Sequence, residues 1–536
     1  MFEGTFSLTR RNFVAASAAT AMATASALAL GGCSGSADQK KEEAAAPQQV
    51  KAREDFNVAL SATLPSLDPL MTVGNVTQEI ANCIWEPLYA MDKDYAPQPV
   101  LATGCDVSSD GLVYTFTLKS GVKFHDGSDM TADDVVASME RWRTLNSRAK
   151  ALFANASWKK VSDDKVSFTV DSPASDILII LSNYQQFGAI MPKAVVESAG
   201  ETGVSDYIGT GSYAFNEWAQ DQYVHLTKFD DYHASEGETG GYAGLRDAKA
   251  TDLYFHIATD ASTRVNALVK GQYDVIDSVP SSSYDSLASN SDVALHTNTG
   301  GYLCVYMNTT ENSQLNQTLR QAVEYSIDCD AMLKSVYGDE KFYTKDYGFM
   351  NPNMKQWKVD GGKDWYDKYD VEKAKQLLKD GGYNGETIVL LTTGDYQQMA
   401  KGTEFVAEAL RQIGVDCTIE SYEFAKYMEK KATFAGWDIC VCTQSYQTTP
   451  PQCNVVAPSF NGLDDAQILD GVKAIRAAKT DEAAAEEWSK VQERIYEYGA
   501  GYVVGHSLSI TATRAEVEGF ENFVIPVVYN AYVPEQ

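Results

Sequence analysis

From Asp370 to Cys442 the sequence switches repeatedly between helical and strand periodicity, and that alternation limits the chain to helices layered on a sheet. Asp370 is placed to cap a helix predicted over Val371 to Lys379, in which Ala374, Leu377 and Leu378 share one apolar face and Gly381-Gly382 ends the run. Phe405 to Ile413 repeats this plan, stops at Gly414 and leads into a strand, Val415 to Ile419. A further helical span, Ala425 to Lys431, precedes a second strand, Trp437 to Cys442. The order predicts a βαβ-type lobe, and open sheets of that kind bind ligands in the loops after the carboxyl ends of their strands. Earlier in the chain, Gly111 to Phe124 alternates, turns at Ser120-Gly121 and resumes, which predicts a hairpin. Thr131-Ala132-Asp133-Asp134 then predicts a capped helix from Ala132 to Thr144. The fold class is therefore α/β, with no fixed repeat.

The strand ending at Cys442 opens into an uncharged run, Ile439 to Leu463, in a chain where 22% of residues are charged. Such a run is a buried or ligand-facing surface, and its Cys440, Cys442 and Cys453 raise three readings: a metal site, a redox site or a pocket wall. Cys440 and Cys442 share a strand face and could meet a metal. None of the six histidines, His125, His225, His233, His256, His296 and His506, is near them in sequence, and no CxxC spacing occurs. Gly505-His506-Ser507-Leu508-Ser509 lacks the second glycine of a nucleophile elbow, and there is no HExxH, P-loop or EF-hand motif. His125-Asp126-Gly127 follows a strand and reads as a turn. No catalytic residue, cofactor or metal is expected.

A formal charge of -29 excludes nucleic acid as a partner, because phosphate binding needs basic patches and no Lys/Arg cluster occurs. The N-terminus reads as an export signal over residues 1–32: Arg10-Arg11, an Ala/Thr/Ser-rich segment from Val14 to Leu30, and Leu30-Gly31-Gly32-Cys33. The paired arginines resemble the twin-arginine class, and the ending resembles a bacterial lipobox with Cys33 as the lipidated residue. Residues 33–53 are small and charged without an aromatic ring, the composition of a tether that cannot fold alone. The expected location is extracytoplasmic, lipid-anchored to the cell membrane, with contact to the membrane through lipid only.

Several motifs then occur in a fixed order: Ser66-Leu67-Asp68-Pro69, Trp85-Glu86-Pro87-Leu88-Tyr89, Tyr114 to Gly127 (YTFTLKSGVKFHDG), Thr131 to Val135 (TADDV), Gly209 to Tyr213 (GTGSY), Arg320 to Asp328 (RQAVEYSID) and Asp370 to Leu378 (DVEKAKQLL). With these the chain resembles the solute-binding proteins of ABC importers of the peptide/nickel class, over nearly all of its length after the tether. The resemblance implies a two-lobed periplasmic-binding-protein-like clamp with an extra inserted domain. Lobe I would comprise 54–92, 210–299 and 501–536, the inserted domain 93–209 and lobe II 300–500. It also implies a monomer that closes by hinge motion and delivers a solute to an ABC permease.

By the same resemblance, the loop after the lobe II strand holds the ligand. Where peptide-binding relatives carry an Asp that pairs with the peptide α-ammonium, a gap-free count places Gln447, and a small shift places Ser445. Gln444, Ser445, Tyr446 and Gln447 thus form one wall, and a peptide held by its free N-terminus is disfavoured. Val73, Gly74 and Asn75 face them from lobe I. Trp142 and Arg148 reach from the inserted domain, with Lys150 as a second basic residue, and Tyr302 and Phe424 are aromatic walls. The resemblance further implies a Cys304–Cys442 bridge, whereas folding before export favours free buried thiols. The expected function is capture of a small polar solute, a modified peptide or a metal chelate, without catalysis. The alternatives are an exported thiol-dependent enzyme and a surface sensor on the same scaffold.

Overall fold

The computed structural model describes residues 51–233, 237 and 239–535. The signal and Cys33 lie outside the described residues. The predicted helices and strands of the 370–442 region form as Val371–Asp380, Gln397–Gln412, Cys417–Tyr422, Phe424–Ala432 and Ile439–Gln444, joined by a further strand, Ile388–Thr393. Asp370 caps the first helix by accepting from Lys373 N at 2.9 Å. Thr131 and Asp134 form a reciprocal capping box at the start of Ala132–Leu145.

An eleven-stranded mixed sheet runs through the molecule. Its order is Cys417–Tyr422, Ile388–Thr393, Ile439–Gln444, Val293–Met307, Gly501–Arg514, Val275–Ile276, Asp55–Leu60, Asp252–Ile257, Tyr223–Lys228 and Tyr213–Ala219, with Tyr343–Thr344 added beside Gly501–Arg514. Each half contains three parallel strands, Cys417–Tyr422 with Ile388–Thr393 and Ile439–Gln444 on one side, Asp252–Ile257 with Asp55–Leu60 and Val275–Ile276 on the other. Between them, Val293–Met307 and Gly501–Arg514 form one long antiparallel ladder, with Val293 opposite Arg514 and Tyr306 opposite Gly501. Its register shifts between Thr299 and Gly301 and again between Leu303 and Cys304. Residue 301 must lack a side chain, because a Cβ there would stand 2.4 Å from the carbonyl oxygen of Gln444 on the neighbouring strand.

A separate four-stranded sheet, Ala102–Val107, Val113–Leu118, Lys165–Thr169 and Ser157–Ser162, carries helix Ala132–Leu145 on one face. Phe116, Trp158 and Phe168 form its aromatic core. The hairpin expected over Gly111 to Phe124 does not form. Val113–Leu118 pairs instead with Ala102–Val107 and Lys165–Thr169, because Val122 to Met130 folds into its own loop through Met130 N to Val122 O and Phe124 N to Ser128 O. The described chain is already paired at Lys51 to Arg53, where Arg53 N donates to Val533 O at 2.8 Å and Lys51 pairs with Glu535.

The ordered motifs lock these parts together. Asp68 accepts from Leu70 N and Val204 N and forms a buried ion pair with Arg141 of helix Ala132–Leu145. Gly211 N donates to Ile84 O at 2.8 Å, so close that a Cβ on residue 211 would lie 2.3 Å from Cys83 O. His125 is the turn residue expected, and it clamps this joint: its Nδ1 accepts from Gly209 N at 3.2 Å and its Nε2 donates to Gly211 O at 2.9 Å. Two further contacts tie the small sheet's surroundings to the far half of the large one. Ser175 N and Oγ donate to Arg476 O at 3.0 and 3.2 Å beside an Asp176–Arg476 pair, and Lys355 pairs with Asp94 at 3.1 Å next to Asn351 Nδ2 donating to the Tyr95 hydroxyl.

Burial lowers the His125 pKa to about 4, because removal from water disfavours the charged ring, and the neutral ring accepts from Gly209 N. The unfolded ring titrates near 6.5, so this contribution is complete above that pH and is lost as pH falls toward 4. His125→Gln should therefore lose less stability than wild type on acidification from pH 7 to 4.5, by about 2 kcal/mol. Urea unfolding at the two pH values checks this, and parallel losses would refute it.

Candidate functional site

The loop after Ile439–Gln444 stands at the carboxyl end of a parallel strand set, the position where open α/β sheets leave a crevice. Asn454 Nδ2 donates to Gln444 Oε1 at 2.7 Å and closes the loop on itself. Within it Ser445 is exposed, whereas Tyr446 and Gln447 are buried. The Tyr446 hydroxyl lies 2.7 Å from His506 Nδ1 and 3.0 Å from Gly301 O, and His506 Nε2 lies 3.0 Å from Gly348 O. Burial keeps His506 neutral, so it donates from Nε2 and accepts at Nδ1, a positioning role for the loop. Gln447 Nε2 donates to Ser445 O, while Gln447 Oε1 and the Thr449 hydroxyl are buried without partners among the described residues. Unpartnered buried polar atoms are costly and mark groups that a ligand can satisfy.

Arg148 arrives from helix Ser147–Leu152. Asn146 fixes that helix by accepting from the backbone N–H groups of Arg148 and Ala149 and by donating its Nδ2 to Gln186 O. The guanidinium is half-buried beside Tyr184 and Cys453, and it has no hydrogen bond or ion pair among the described residues. Burial pushes its pKa down, the signature of a cation removed from water without a compensating anion. The Cys453 thiol acts electrostatically on both Arg148 and Tyr302, which puts the loop, Tyr302 and Arg148 in one region of the molecule. A row of rings extends from it: Tyr184 stacks on Tyr242 at 5.7 Å, Tyr242 meets Phe523 edge-on at 5.1 Å, and Phe523 meets Tyr95 at 4.7 Å.

The remaining expected residues are dispersed. Tyr302 is buried among Phe349, Tyr446 and His506 rather than presented as an open wall. Trp142 is fully buried against Phe153 and Gly188 in the core under the small sheet. Phe424 is 38% exposed, edge-on to Tyr396 on the outer part of the large sheet. Val73 is 53% exposed, whereas Gly74 and Asn75 line a cavity of about 360 Å³ at the opposite strand set. Residues not anticipated from sequence include Tyr184, Tyr95 and Thr449; the last lies in the uncharged run that marked this region, in which Cys453 was already singled out.

All eight described cysteines are free thiols. Cys304 and Cys442 do stand directly opposite each other in the ladder, but the bridge implied between them is absent. The Cys442 sulfur turns instead to the Tyr427 hydroxyl at 3.1 Å and to Cys440 at 3.9 Å. Among the described residues no group of three or more His, Cys, Asp or Glu is placed to hold a metal. Burial pushes the Cys304 and Cys440 thiols well up, and any thiolate in the pair falls on Cys442, which Cys440, Lys431 and Tyr427 favour but which solvent barely reaches. Native protein treated with iodoacetamide should modify Cys105 slowly and the seven buried thiols far more slowly still, with all eight reacting in urea. Mass mapping reads the sites, and rapid native labelling of Cys440 or Cys442 would contradict the burial.

Residues 96–464 match the family model for bacterial extracellular solute-binding proteins, family 5. The chain is 30% identical over 499 residues to the glutathione-binding protein GsiB of Pectobacterium atrosepticum, covering 89% of this chain and 93% of that one. Among solved structures, the ABC transporter substrate-binding protein CtaP of Listeria monocytogenes superposes with a TM-score of 0.76 at 20% identity, over 90% of this chain and all of the other. The oligopeptide-binding protein AppA of Bacillus subtilis gives 0.71 at 20% identity, over 91% and 100%. These neighbours share the two-lobed binding-protein fold. The chain belongs to the bacterial extracellular solute-binding proteins of family 5.

Proposed function

We propose that the protein captures a small, peptide-like solute bearing a carboxylate and delivers it to an ABC permease without chemical change. The half-buried, unpaired guanidinium of Arg148 carries this reading: a carboxylate is the group that compensates it through charge-assisted, bidentate hydrogen bonds. Gln447 Oε1 and Thr449 Oγ1 supply hydrogen-bonding capacity for a neutral polar part of the same solute. The glutathione-binding relative supports a modified peptide in preference to a metal chelate. Burial of the thiols weighs against the thiol-dependent enzyme.

The lobes we assign are 54–92 with 210–299 and 501–536, and 300–500, with 93–209 inserted in the first. The halves of the large sheet and the separate four-stranded sheet support that division. Cys33 is proposed as the lipidated residue after a twin-arginine-type signal, holding a monomer at the outer face of the membrane; its support is the sequence alone.

Calorimetric titration with glutathione, its amide-capped forms and short peptides tests the solute. Arg148→Met should weaken binding of carboxylate-bearing solutes about 10- to 100-fold and leave their amidated forms unaffected. Equal losses for both forms would overturn the assignment. Gln447→Asp should strengthen binding of peptides with a free amino terminus, and no gain would remove Gln447 from that position.

A further inference from the structure

The half of the sheet opposite Gln447 contains a second strand-end crevice. The parallel strands Asp55–Leu60 and Val275–Ile276 end at Ser61 and Asp277, and helix Asn75–Ile84 runs alongside. Together with Ser509 to Thr511 and Asn522 they enclose the cavity of about 360 Å³, a size suited to part of a small ligand. Glu79 lines it from the helix. This carboxylate is only 3% exposed, and its Oε1 has no hydrogen-bond partner. Asp277 adds a second carboxylate: its Oδ2 accepts from Ser61 Oγ at 2.7 Å, but its Oδ1 has no hydrogen-bond partner among the described residues.

The only cation paired with either acid among the described residues is Arg264. Its Nε stands 3.9 Å from Asp277 Oδ1, beyond hydrogen-bonding distance, and its terminal nitrogens donate to Ala258 O, Thr259 O and Ser278 O. Arg264 therefore offsets Asp277 in part and leaves Glu79 uncompensated. On the far wall Asn522 Nδ2 is an unpartnered donor. Burial, and then the Asp277 carboxylate nearby, push the Glu79 carboxyl up, so a cation received there would displace its proton.

We propose that this cavity is a cation subsite, in which Glu79, seconded by Asp277, receives a primary ammonium or guanidinium group while Asn522 donates to an acceptor beside it. The cavity wall at Ile525 touches Tyr242 through Ile525 N donating to its hydroxyl at 3.0 Å, and Tyr242 stacks on Tyr184 beside Arg148. One solute could thus engage a carboxylate reader and a cation reader on the two flanks of the same aromatic row. The cation that the uncharged 439–463 loop has no acid to hold is received on the other wall. This deepens the proposed function and rests on it for the identity of the solute, but the subsite itself is tested without any solute.

Thermal-shift titrations with ethylammonium and guanidinium chloride, against potassium chloride at equal ionic strength, provide that test. Wild type should gain about 1–2 °C from ethylammonium beyond the potassium control. Glu79→Gln, nearly isosteric and unable to ionise, should fold with an unchanged or higher melting temperature and lose the gain, while Arg148→Met should retain it. No gain over potassium in wild type, or an equal gain in Glu79→Gln, would overturn the subsite. Failure of the carboxylate reading appears separately, as Arg148→Met binding carboxylate solutes as tightly as wild type does.

Discussion

The ladder between Val293–Met307 and Gly501–Arg514 holds the architecture together. It is the one element that belongs to both halves of the large sheet, so each parallel strand set is positioned against the other through its backbone hydrogen bonds. Two register shifts and the absent Cβ at residue 301 let the ladder bend near its centre without breaking pairing. The sheet passes from one half to the other only through this two-stranded ribbon, and contacts such as Ser175 with Arg476 and Asp94 with Lys355 join the parts outside it.

The readable parts of the sequence were those governed by local rules. Capping at Asp370 and Thr131 and the glycine stop after Lys379 depend on neighbours within a turn, and they form as expected. The failed hairpin at Gly111 to Phe124 marks where local rules end: alternation identifies a strand but not its partner, and Val113–Leu118 finds its partners at Ala102–Val107 and at Lys165–Thr169. Tyr302 and Trp142 illustrate the same limit for sites. Aromatic rings suit core and cleft equally, and only three-dimensional packing assigned both to the interior.

Charge was the more informative guide to the site. The uncharged run Ile439 to Leu463 marked the loop before its geometry was known, whereas Arg148 was named only through the family resemblance. Glu79 was not, because an acid within QEIANC on an amphipathic helix reads as solvated surface. Its significance comes from burial opposite Asp277, a residue almost two hundred positions away in the chain. By contrast, the family motifs at Asp68, His125 and Gly209 to Gly211 are explained by joints of the scaffold.

The contacts of Arg476 with Ser175 and Asp176, and of Lys355 with Asp94, join opposite sides of the molecule outside the binding crevices. They are made of protein alone, so their free energy does not depend on which solute is held. An importer needs a protein that closes firmly enough to be recognised yet opens readily enough to release, and these rim pairs offer a setting for that balance independent of specificity. Substitution at the rim can retune affinity across all solutes together while the pocket still ranks them in the same order. Evolution of a new solute preference and evolution of a new working concentration can thus proceed through different residues.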